Sequence, residues 1–150
     1  MDNIIELYTE TGELKFGRRL ARDVAFKYIF EWQYGEEEKF EQIENLVNMQ
    51  FRDNDKEYIR KVFSLVKENL AQLDSLIEEN AKGWKKERLS KVCLAALRLA
   101  LAEMLYMEDI PISVSINEIV DIIKKYDVPS AASFANGILG SVQKGLEEKA

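Results

Sequence analysis

The chain has 150 residues, enough for one ordinary domain, and 47% of them are apolar, enough for a full core; with 2 prolines and 7 glycines the composition favours helix. There is no histidine and a single cysteine, Cys93, which excludes histidine-based catalysis, histidine metal ligands, an internal disulfide and a cysteine-rich zinc site. The formal net charge of −6 disfavours a polyanionic partner only if it is evenly spread. It is not: residues 2–13 carry four acids and no base, residues 14–28 carry five bases against Asp23, and residues 31–45 carry six glutamates against Lys39. A clustered basic block keeps a local field that can attract phosphate.

Residues 1–16 read as an N-terminal extension, a short hairpin around Thr9–Gly12 or a loose tail. From Arg18 the apolar period becomes helical, with Ala21, Ala25, Tyr28, Ile29 and Trp32 on one stripe and Gly35 as the stop. A second helix follows, with Phe40, Ile43, Val47 and Phe51 inward. Asn54 to Glu57 reads as a capping segment. It opens one long helix whose inner face is Ile59, Val62, Phe63, Val66, Leu70, Leu73 and Ile77, ending near Gly83.

Ser90 is positioned to cap the next helix. Its body, Val92 to Met104, is apolar on nearly every side, the pattern of a helix at the centre of a bundle. That run is broken by Arg98 and Glu103 and is too short to cross a bilayer. No signal peptide is evident, so the chain reads as cytoplasmic, with no membrane role. Ser115-Ile116-Asn117-Glu118 has the form of a capping box opening another helix, with Ile119, Val120, Ile123 and Tyr126 inward. Asp127-Val128-Pro129-Ser130 breaks the chain. The last helix buries Phe134, Ile138, Leu139 and Val142. Gly137 and Gly140 lie inside it at a helix cost of roughly 1 kcal/mol each, which points to a close helix approach there. The expected fold is all-α, a single compact bundle of about six to seven helices over residues 17–150.

Two groups of residues invite a functional reading. Arg18, Arg19 and Arg22 converge on one surface of the first helix, where they oppose the helix dipole. Arginine offers forked donors to phosphate and a flat face for bases. Arg18, Arg19 and Arg22 read equally as a solvated helix start or as a phosphate contact, with Lys15 and Lys27 weaker additions. Tyr126, Ser130 and Phe134 sit at a helix-loop-helix corner, where an exposed ring can stack a single-stranded base; periodicity alone favours a core place for Phe134. Phe26 reads as core. Arg98 and Glu103 read as paired rather than catalytic, and Cys93 as a small buried apolar residue.

Two segments carry a family resemblance. One is Gly17-Arg-Arg-Leu-Ala-Arg22 through Phe30, Trp32 and Gln33. The other runs from Leu97-Arg98-Leu99-Ala100 through Ile110-Pro111 and Ile116-Asn117-Glu118 to Tyr126 and Phe134-Ala135-Asn136-Gly137-Ile138-Leu139. Together they resemble the NusB family over roughly residues 17–146. The resemblance implies a helical fold of two subdomains and a non-enzymatic role in transcription antitermination, with no cofactor and no metal. The implied partners are boxA RNA, the small-subunit ribosomal protein NusE and the transcription elongation complex, acting on ribosomal RNA operons. It implies RNA contacts at Arg18, Arg19, Arg22, Lys27, Tyr126, Ser130 and Phe134, and partner contacts at Phe30 and Glu87. Cys93 stands where other members often have an acidic residue facing NusE. The rival reading is a homodimeric or protein-interaction bundle with no RNA role. An enzyme is disfavoured, since no Gly-rich cofactor loop or catalytic cysteine motif is present.

Overall fold

In the computed structural model, residues 17–35, 45, 51–82 and 89–149 are described. The expected hairpin or tail at 1–16, most of the second helix, Gly83 and Glu87 lie outside them. Among the described residues there are six long helices and no strand: α1 (Arg18–Tyr34), α2 (Asp53–Glu68), α3 (Leu70–Asn80), α4 (Lys91–Tyr106), α5 (Ile112–Tyr126) and α6 (Pro129–Lys149). The chain divides into two compact units between Ser64 and Leu65, inside α2.

In the first unit α1 starts and stops where the sequence places it. Gly35 closes it in the left-handed region, φ 71°, and donates its N–H to the Trp32 carbonyl, a conformation that suits glycine because it has no Cβ to clash. Tyr28 stacks on Phe63 of α2 with centroids 5.5 Å apart, and Trp32 meets the same ring edge-on at 6.2 Å. Such ring pairs add about 0.5–1.5 kcal/mol each beyond the area they bury. Around them Ala21, Ala25, Ile29, Ile59 and Val62 are fully buried.

The long helix expected through Ile77 is instead two. It begins at Asp53, with Asp53 and Asp55 in the first turn, where carboxylates complement the helix dipole. It breaks at Asn69, whose φ of −117° leaves the helical range and whose Nδ2 donates to the Leu65 carbonyl at 2.9 Å. Val66, Leu73 and Ile77 are fully buried on either side of the break. The apolar stripe therefore runs through it, and periodicity carried no sign of the interruption. Asn80 repeats the device at the end of α3, bonding the Leu76 carbonyl at 2.8 Å.

In the second unit α4 packs against α3, α5 and α6. Ser90 caps it as expected, accepting the Cys93 N–H at 3.0 Å. Every residue from Cys93 to Met104 is buried. The two charges in that run are satisfied by neighbouring helices. Arg98 grips Asp74 of α3 with two hydrogen bonds of 2.9 Å, and Glu103 accepts the Ser115 hydroxyl at 2.8 Å.

That last bond corrects the capping-box reading of Ser115 to Glu118. α5 opens four residues earlier, after Pro111, whose carbonyl accepts the N–H groups of Val114 and Ser115. Ser115 lies inside the helix and fully buried, so its hydroxyl serves Glu103 rather than the helix end. A second correction concerns α6. A Cβ added at Gly137 or Gly140 would meet nothing within 4 Å, and both residues are exposed. No close helix approach among the described residues explains them.

Candidate nucleic-acid interface

The basic block of α1 is divided by burial. Gly17, at φ 109°, leads into the helix, and its carbonyl accepts the Ala21 N–H. Arg19 is exposed and Arg18 is half-buried. Arg22 and Lys27 are inside, at 3% and 1% exposure. Lys27 pairs with Asp23 one turn back at 3.0 Å. Arg22 lies over the Tyr58 ring of α2, its guanidinium carbon 5.6 Å from the centroid. Arg18 sits over the same ring at 4.4 Å and gives its Nε–H to Asp55 at 3.1 Å. The surface the helix offers to a ligand is thus Arg18 and Arg19. Arg22 adds its charge from beneath, where screening by salt is weaker. Lys27 is engaged within the helix it belongs to.

Phe26 is buried, as expected, and Phe30 is half-buried; their rings lie 6.2 Å apart. That leaves an edge of Phe30 accessible, which a partner contact needs.

The corner between α5 and α6 is built by Pro129, whose fixed φ suits the first position of a helix. Asp127 organises the turn. It accepts the Ser90 hydroxyl at 2.5 Å and the Val128 N–H at 2.7 Å. Ser130 is exposed and Phe134 half-buried; they share a concavity of about 370 Å³ with Leu89, Ser90, Cys93, Asp127, Val128 and Ala131. Such a volume lies within the range of small-ligand sites, about 300–1,000 Å³. Tyr126 is not among its walls; it is half-buried nearby with the Lys125 ammonium 5.1 Å from its ring centroid. Lys124 and Lys125 are exposed. Cys93 is 2% exposed, and burial together with the nearby Asp127 carboxylate pushes its thiol up to about 11. At neutral pH it lines the cavity as an uncharged, unreactive group.

Arg18 and Arg19 therefore belong to the first unit, and Tyr126, Ser130 and Phe134 to the second. Sequence reasoning missed Asp55 and Tyr58 beside the arginines, and Ser90, Asp127 and Val128 around the cavity. Their partners stand 37 residues away in the Arg18–Asp55 and Ser90–Asp127 contacts, beyond the reach of helical spacing. Among the described residues no cluster of metal-ligating side chains occurs, and no helix is long and apolar enough to cross a membrane.

An all-helical fold with an arginine-bearing first helix and an aromatic corner near its end defines the class: a small all-α protein. The NusB family model matches residues 19–144. The transcription antitermination protein NusB of Acetivibrio thermocellus is 45% identical over 129 residues, covering 85% of this chain and 89% of its own. The solved NusB of T. maritima superposes with a TM-score of 0.78 at 37% identity, over 87% of this chain and 93% of that one. A complex of the antitermination factors NusB and NusE with double-stranded RNA contains a chain 30% identical, TM-score 0.75, covering 85% and 96% respectively. The chain belongs to the NusB family.

Proposed function

We propose that this protein is a cytoplasmic, non-enzymatic transcription antitermination factor. It binds boxA-type single-stranded RNA together with ribosomal protein NusE and promotes processive transcription of ribosomal RNA operons. The observation that carries this reading is the pair of half-buried Arg18 and exposed Arg19 at the start of α1 in a chain of the NusB family. Residues 17–150 form the binding domain in this reading, and residues 1–16, with their acidic stretch, compete with RNA for the arginines. Tyr126, Ser130 and Phe134 supply the second contact, with stacking worth about 1–3 kcal/mol per base. Two weak contacts on one RNA reinforce each other through effective concentration. Phe30 and Glu87 are the residues assigned to the protein partner in this reading.

The test is a titration of boxA and scrambled oligonucleotides, single-stranded and duplex, with and without NusE. Duplex is included because the related complex holds double-stranded RNA. If Arg18, Arg19, Lys124 and Lys125 each neutralise one phosphate, the log-log salt slope should be about −3. Replacing Arg18, Arg19 and Arg22 by alanine should weaken boxA binding while the helical content stays. Unchanged affinity would remove the arginines from the interface. A stable dimer that ignores RNA would favour the homodimeric reading.

A further inference from the structure

Arginine is a costly ligand when it is loose, because binding must first freeze a side chain with several rotatable bonds. In this protein Arg18 is not loose. Its Nε–H is given to Asp55 at 3.1 Å, and its guanidinium lies over the Tyr58 ring with its central carbon 4.4 Å from the centroid. Asp55 and Tyr58 are themselves fixed, at 5% and 3% exposure. The Arg18 side chain is still 37% exposed, and its two terminal nitrogens make no other hydrogen bond among the described residues.

A guanidinium can bind a phosphate by two edges, one made of Nε and one Nη, the other of the two Nη groups. Asp55 takes the Nε side. We infer that Asp55 and Tyr58 are positioning residues: they hold Arg18 so that its terminal Nη edge is presented, ready-formed, to an RNA phosphate. The inference rests on the proposed role of Arg18 in RNA binding. Swinging away to another pose would leave a nearly buried carboxylate without this partner, so RNA takes Arg18 where it stands. Lysine in its place could not serve Asp55 and a phosphate with separate edges of one rigid plane.

Two substitutions at Asp55 separate charge from position. Asp55→Asn and Asp55→Ala remove the same charge, but only asparagine keeps an oxygen that can accept from Nε. Affinity for a single-stranded boxA oligonucleotide is measured with NusE present, on variants whose helical content and melting are checked first. Asp55→Ala should bind about two- to tenfold more weakly than Asp55→Asn, the range set by freezing one long side chain. In an Arg18→Ala background that gap should vanish. Arg18→Lys, which keeps the charge at a half-exposed site, should also bind more weakly than the parent protein, and it stands in if Asp55→Ala does not fold.

Equal affinities for the two Asp55 variants, a gap that persists without Arg18, or an Arg18→Lys protein that binds like the parent would each overturn the positioning role. An Arg18→Ala protein that binds RNA as well as the parent gives a different failure. It would remove Arg18 from the RNA interface and overturn the inference along with that part of the reading.

Discussion

Two helices are buried along most of their length, and they reach that state by opposite routes. α4 is apolar from Cys93 to Met104, apart from Arg98 and Glu103, and each of these charges is met by another helix, through Asp74 and Ser115. α1 is buried without a break from Ala21 to Ile29, although Arg22, Asp23 and Lys27 lie in that stretch. Its charges are met partly along the helix itself, by the Asp23–Lys27 pair, and partly by an aromatic ring. Apolar area predicts burial for α4. For α1 it does not, because charges enter the interior when they arrive with their partners.

The sharpest way to break this contrast is to take a partner away. Asp74→Ala should cost about 3–5 kcal/mol in urea unfolding, since it strips a buried guanidinium of its bidentate partner. Asp74→Leu combined with Arg98→Met should recover most of that loss, as an apolar helix can do without the pair. Asp23→Ala should cost less, about 3 kcal/mol, because the Asp23 side chain and its partner belong to the same helix. A larger loss than for Asp74 would reverse the ranking of the two routes.

A pH series sharpens the picture of α4. The Cys93 thiol is raised from 9.0 to about 11, so the folded protein holds that proton more tightly than the unfolded chain. Its contribution to stability is complete below pH 9 and is lost between 9 and 11, on the order of 3 kcal/mol. Unfolding free energies across that window should fall less for Cys93→Ala than for the parent, and parallel curves would show that ionisation is not resisted there. The smallest effect has the opposite sign. Gly137→Ala and Gly140→Ala should each stabilise by about 0.5–1 kcal/mol, because the added methyl meets open space and the unfolded chain loses freedom. Destabilisation would mean that the exposed side of α6 is more constrained than its surroundings suggest.

Much of the fold was legible because single residues announce helix ends through local chemistry. Gly35, Ser90 and Pro129 each act on their own turn, and the helices respect them. The failures share a cause as well. Ser115 looked like a cap because its neighbours fit the motif, yet its hydroxyl is used by a side chain from another helix. Asn69 breaks a helix whose buried stripe never falters. At the candidate interface the sequence singled out one helix and one corner, but it offered no means of sorting Arg18 and Arg19 from Arg22 and Lys27. That sorting depends on Tyr58 and Asp55, far away in the chain, and on burial that charge alone would not suggest.

The place of α6 has a consequence for synthesis. It packs on α3, α4 and α5 alike, and the ribosome makes it after all three. Until Ile138, Leu139 and Val142 have been added, the apolar surfaces they cover stay open to water. At about 5–20 residues per second, the 21 residues of α6 take about 1–4 s to polymerise. During those seconds the nascent second unit carries an uncovered core, and chaperones have their clearest opportunity to bind it.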